Sequence, residues 1–276
     1  METRYSADAV RFERMNTEEI RDTFLVRTLF AADKIELVYL LDERAIIGSA
    51  VPAKGALKLE AGEELACQYF AERREMGVIN IGDAGTVTVD GKKFTLGYKD
   101  LLYIGRGSKD IRFESANAQK SARFYIVSYP AHAAYAAAAA KQSDAQAVNL
   151  GSDEECNKRT IYKYVHPEGI KSCQLVMGCT DLAACSVWNT MPGHTHIRRT
   201  EVYMYFAMEA NSVVFHFMGK PEQTRHIVVR NQQAVFAPSW SIHSGAGLKN
   251  YSFVWAMGGE NQAFADMQGF SLDSLK

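Results

Sequence analysis

Gly193-His194-Thr195-His196-Ile197-Arg198-Arg199-Thr200-Glu201 sets two histidines two residues apart, with a glutamate five residues beyond the second. In a strand that spacing turns both imidazoles to one face, where they can meet on one ion; a helical histidine pair would be four apart. The segment between His196 and Glu201 has the length of a turn, so Glu201 opens the next strand with its carboxylate beside the histidines. Pro238-Ser239-Trp240-Ser241-Ile242-His243 ends 42 residues after Glu201, enough chain to cross a sheet and return with a third imidazole. His194, His196, Glu201 and His243 together suit zinc, one ion per chain, with iron(II), manganese or nickel admitted by ligand type. Two histidines in this spacing are common on strand faces. Gly193, the spaced glutamate, Pro238 and the strands on all sides single this pair out.

The surrounding sequence predicts an all-β fold. Segments such as Ile35–Leu41, Gly77–Ile81, Gly85–Val89 and Leu101–Ile104 are short, rich in β-branched and aromatic residues, and bounded by turn residues. Asp90-Gly91 between two of them marks a hairpin. After the metal motif, Glu201–Phe206, Ser212–Phe217, Arg225–Val229 and Ala234–Phe236 repeat the pattern at the spacing of a sandwich or barrel. Asn16 followed three residues later by Glu19 predicts a short capped helix running to Leu25. Residues 131–147 are alanine-rich without proline or glycine, which reads as a helical or loosely packed connector. Arg73-Arg74-Glu75-Met76 echoes Arg198-Arg199-Thr200-Glu201, so two related β-barrels in tandem are expected. The first spans 1–130 and lacks metal ligands; a connector covers 131–158, and the metal-binding module covers 159–276.

Basic and acidic residues nearly cancel, 31 against 32, so no net field recruits nucleic acid. No apolar run approaches the ~20 residues of a spanning helix, and the charged N-terminus is unlike a signal peptide, so a cytoplasmic location is expected. Five cysteines without a C-x-x-C pair predict buried free thiols rather than disulfides.

The histidine motifs resemble those of cupins, with Trp240 where the second motif has glycine and Gly247 where it has asparagine. The blocks Phe70–Gly91, Val187–His196, Glu222–Val228 and Pro238–Gly245 are more specifically similar to the 5-keto-4-deoxyuronate isomerases of bacterial pectin breakdown, across nearly the whole chain. That resemblance implies a two-cupin (bicupin) subunit, zinc in the C-terminal cupin, and a homohexamer. It also implies conversion of 5-dehydro-4-deoxy-D-glucuronate into 3-deoxy-D-glycero-2,5-hexodiulosonate, which moves a carbonyl from C1 to C2. Such a reaction needs a proton shuttle and an electrophile for the enediolate. Glu201, a metal-bound water, or Tyr203 and Tyr205 on the same strand face as Glu201 are the candidates for the shuttle. The substrate carboxylate calls for a basic partner, and Arg198, Arg199, Lys163 and Arg225 are the candidates. His216 and His226 are not read as ligands. An iron-dependent cupin oxygenase and a non-catalytic sugar-binding cupin are the competing readings.

Overall fold

The computed structural model describes residues 1–117, 119–263 and 265–276. The chain forms two compact units. One comprises Met1–Arg4, Thr28–Ala145 and Tyr164–Met177; the other comprises Tyr5–Arg27, Gln146–Lys163 and Gly178–Lys276.

In the first unit a seven-stranded sheet has the order Glu2–Arg4, Lys34–Leu40, Ala45–Val51, Phe124–Pro130, Arg74–Asn80, Leu101–Ile104, Ala138–Ala140. A four-stranded sheet covers it: Leu57–Lys58, Ile111–Ser115, Gly85–Val89, Lys92–Leu96. The core draws on both, with Val78, Leu102, Phe124 and Ile126 from the large sheet and Val87, Ile111 and Phe113 from the small one. Burying these apolar faces against each other is what holds such a sandwich together. The expected hairpin is present, with Asp90 and Gly91 at φ 48° and 84°, the positive values a two-residue turn of this kind requires.

The other large sheet, most of it in the second unit, runs Gln146–Leu150, Arg159–Val165, Val176–Leu182, Ser252–Gly259, Arg199–Phe206, Gln233–Ala237, Leu25–Val26. The small sheet runs Trp188–Asn189, Ser244–Gly247, Val214–Lys220, Gln223–Val229. Where the pattern predicted barrels, the hydrogen-bonded order of each sheet is open from first to last strand among the described residues.

The two large sheets repeat one another. Arg74–Asn80 and Arg199–Phe206 are each fifth in order, and each begins with a buried arginine, paired with Pro130 and Gly259 respectively. Two residues along, Met76 stands where the other strand has Glu201. Met76 is wholly buried in the apolar core, so the first unit has methionine packing where the second has a buried carboxylate.

Three expectations are corrected. Residues 5–27 belong with the second unit, because Leu25–Val26 pairs with Gln233–Ala237 and Phe12 and Phe24 pack on Trp240 at 5.3 and 6.3 Å between rings. The helix Thr17–Phe24 itself forms as expected, capped reciprocally by Asn16 and Glu19, and it buries Ile20 and Phe24 one turn apart. The alanine-rich stretch is not helical; Ala138–Ala140 is a strand on Leu101–Ile104. Helix propensity is a weak bias, and without an apolar stripe a helix there would bury nothing. Of the five free cysteines only Cys179 is buried, while Cys156 and Cys185 are exposed in turns at φ 53° and 67°. Among the described residues no helix is long and apolar enough to cross a membrane.

Candidate metal centre

His194 lies in the two-residue strand His194–Thr195, held against Gln268–Gly269. The chain then turns, the Arg199 amide donating to the His196 carbonyl at 3.0 Å, and Glu201 enters the large sheet between Ala237 and Met257. A second turn, from the Ser241 amide to the Pro238 carbonyl at 2.9 Å, presents His243. The four side chains converge, with one ligand atom from each within 4.8 Å of all the others. His196, Glu201 and His243 are buried and His194 is half-buried.

The contacts disclose what the group can hold. His194 Nε2 is 3.2 Å from His196 Nε2 and 3.1 Å from His243 Nε2. Glu201 Oε2 is 3.2 Å from His196 Nε2 and 2.8 Å from His243 Nε2. His196 donates from Nδ1 to the Asp266 carbonyl at 2.7 Å, which leaves a lone pair on its Nε2. Imidazole lone pairs and a carboxylate facing one another repel unless a cation or shared protons lie among them. Four of the six pair spacings are thus 2.8–3.2 Å and the other two are within 4.8 Å, against about 3.3 Å between ligand atoms about 2.0–2.1 Å from a tetrahedral zinc ion. The residues present therefore fit a divalent cation.

The electrostatics agree. Burial pushes His194 down to about 3, and His243 beside it adds to the shift, so the imidazole is neutral and able to ligate. Burial alone would raise Glu201, but His243 and His196 outweigh it and hold the carboxyl well below the usual carboxylate range. Arg199 lies behind His196, and its Nη2 donates to the same Asp266 carbonyl at 3.1 Å. Such outer contacts set the tautomer and aim of a ligating imidazole.

A cavity of about 250 Å³ opens onto the group; besides His194, His196 and Glu201 it is lined by Tyr203, Thr190, Arg159, Phe253, Trp255 and Met257, among others. Tyr203 and Thr190 share a hydrogen bond of 2.9 Å. Tyr205 does not reach the cavity; its hydroxyl meets His216 Nδ1 at 2.8 Å in the core. Burial raises both tyrosines well above their ordinary pKa, so each keeps its proton at neutral pH.

None of the four basic residues expected at the substrate carboxylate lines this cavity. Arg198 is on the surface, paired with Glu260 at 2.9 Å. Arg199 is buried behind His196. Arg225, on the small sheet, donates to the Met15 carbonyl at 2.9 Å. Lys163 lies towards the far end of Arg159–Val165, opposite Gln146. The basic residue at the cavity is Arg159, at the start of that same strand. Its alternation with Ile161 was the available signal, but nothing tied it to the histidine motif.

Comparison with known proteins decides the kinship. A model of the KduI/IolB family matches residues 24–270. The chain belongs to the KduI/IolB family. Two relatives named 4-deoxy-L-threo-5-hexosulose-uronate ketol-isomerase match this KduI/IolB-family chain over its whole length and theirs. One, from Caldicellulosiruptor bescii, is 52% identical over 276 residues. The other, from Halalkalibacterium halodurans, is 51% identical over 276 residues. Among solved structures, an IolB-like protein from Salmonella typhimurium superposes with a TM-score of 0.71 at 11% identity, covering 90% of this chain and 96% of its own. At that identity the likeness shows that the KduI/IolB-family chain and the Salmonella protein share a fold.

Proposed function

We propose that this protein is a zinc-dependent ketol-isomerase converting 5-dehydro-4-deoxy-D-glucuronate into 3-deoxy-D-glycero-2,5-hexodiulosonate. The observation that carries this reading is the convergence of His194, His196, Glu201 and His243, the first three lining a cavity of about 250 Å³, in a chain half identical to named ketol-isomerases.

The four ligating side chains would hold the ion, which when bound supplies a Lewis acid able to polarise a carbonyl oxygen. Tyr203 keeps its proton, so its role is to donate a hydrogen bond or a proton to a substrate oxygen, with Thr190 orienting the hydroxyl. Glu201, held firmly ionised, is a weak base and serves chiefly as a ligand. Phe253, Trp255 and Met257 line the cavity with apolar surface that shields an enediol from water. The matching strand orders support reading the two units as tandem cupin-type modules, the first without metal ligands. A homohexamer is the assembly expected of such a chain, to be checked by analytical ultracentrifugation.

The decisive experiment incubates metal-loaded protein with 5-dehydro-4-deoxy-D-glucuronate and follows products by NMR. The diketo acid should form without oxygen uptake. Its absence with the metal site full sinks the isomerase reading, and stoichiometric iron with oxygen consumption replaces it with an oxygenase.

A further inference from the structure

Arg159 is the one guanidinium or ammonium group among the residues lining the metal-centre cavity. It opens the strand Arg159–Val165 and shares its cavity-facing side with Ile161. Its Nη1 donates to the Asn157 carbonyl at 2.8 Å, and no carboxylate among the described residues pairs with it. That carbonyl is itself well placed. Asn157 is buried, its Oδ1 accepts from the Ser152 amide at 3.0 Å, and its Nδ2 donates to Glu155 Oε2 at 3.0 Å. Arg159 is thus pinned at one nitrogen, leaving most of its five-donor fork unused.

The surroundings make an unpaired cation costly. Arg159 is half-buried beside the apolar Ile161, Phe253, Trp255 and Met257, and burial pulls its pKa below the ordinary arginine value, opposed in part by Tyr203, Tyr251 and the Glu155 carboxylate. An anion entering the cavity would recover the lost solvation, and a planar carboxylate matches the guanidinium fork in two parallel hydrogen bonds.

We propose that Arg159 is the carboxylate-binding residue of this cavity, taking the acid end of a sugar acid so that its other end faces the His194–His196–Glu201–His243 group. The proposal rests on the ketol-isomerase reading for its substrate class. It makes Arg159 the residue that separates uronates from neutral sugars.

The test measures binding of D-glucuronate and of D-glucose, its uncharged counterpart, to metal-loaded wild type, Arg159→Gln and Arg159→Lys by calorimetry. Metal content and melting temperature are recorded for each protein. Wild type should prefer glucuronate. Arg159→Gln should bind it about 10- to 100-fold more weakly, the loss of a charge-assisted pair, with glucose binding unchanged. Arg159→Lys, which keeps the charge but not the fork, should fall between them, and it carries the test if the glutamine variant does not fold. A wild type without preference for the acid, or variants that keep the full preference, overturns the proposal. Turnover of the keto-uronate separates the two readings. Arg159-dependent glucuronate binding without turnover defeats only the isomerase, and turnover with an Arg159-independent preference defeats only the assignment of Arg159.

Discussion

His196 gives its Nδ1 proton to the main-chain carbonyl of Asp266 across 2.7 Å, and this contact decides which ring nitrogen faces the other ligands. The carbonyl is held in place by the Asp266 side chain, whose two oxygens accept from Asn261 Nδ2 at 2.6 Å and Gln268 Nε2 at 3.0 Å. Asp266→Ala should therefore weaken metal binding about 10- to 100-fold without removing a ligand, the usual cost of losing an outer contact. Competition with a chromogenic chelator measures this. Wild-type affinity in the variant refutes the link.

His243 supplies the shortest contact to Glu201, 2.8 Å, from a loop outside the large sheet. His243→Ala should abolish stoichiometric metal and turnover while leaving the strands intact, because the core of the unit is built from other side chains. Metal analysis and circular dichroism read the two effects separately. Global unfolding of the variant or of the metal-free protein recasts the ion as structural.

Acid should destabilise the metal-free protein well above the carboxylate range. His216 is wholly buried, and burial, aided by the nearby His243, moves it from its ordinary 6.5 to about 3. Unfolded, the imidazole takes its proton near pH 6.5; folded, it does so only near 3. Between those values the unfolded chain holds one proton more, so falling pH favours unfolding by about 1.4 kcal/mol per pH unit for this group. His194, also lowered to about 3, acts in the same direction. Urea titrations from pH 7 to 4 should show the decline, and His216→Phe should flatten it. An equal slope in that variant removes His216 as the cause.

The two tyrosines of one strand should behave differently. Tyr203→Phe deletes a hydroxyl at the cavity and should lower kcat about 100-fold or more if that hydroxyl handles a proton. Tyr205→Phe deletes one bonded to His216 away from the cavity, so it should cost about 1–3 kcal/mol of stability by stranding a buried imidazole, with little change in kcat. Equal kinetic losses in the two variants make Tyr203 a packing residue.

The strands and the convergence of His194, His196, Glu201 and His243 were legible because each leaves a mark in residue type and spacing. Alternating β-branched residues describe a pleated surface, and a histidine pair two apart followed by glutamate describes one strand entering beside another. The capped helix at Thr17–Phe24 was legible for the same reason, since Asn16 and Glu19 are local partners. Its destination was not. Phe12 and Phe24 meet Trp240 more than 200 residues away, and no local pattern names that partner. The alanine-rich stretch misled because propensity acts residue by residue, whereas Ala138–Ala140 is held by hydrogen bonds to Leu101–Ile104.

The sequence by itself determined the chemistry on offer: three imidazoles, one carboxylate and a β scaffold to present them, since ligand type belongs to side chains and strand periodicity to their order. Tertiary structure alone decided how that chemistry is tuned. The Asp266 carbonyl behind His196 is a backbone group that every residue carries, and the presence of Arg159 at the cavity, in place of Arg198, Arg199, Lys163 or Arg225, follows from where distant segments pack. Coulombic and hydrogen-bond energies depend on distance and burial, and those exist only once the chain has folded.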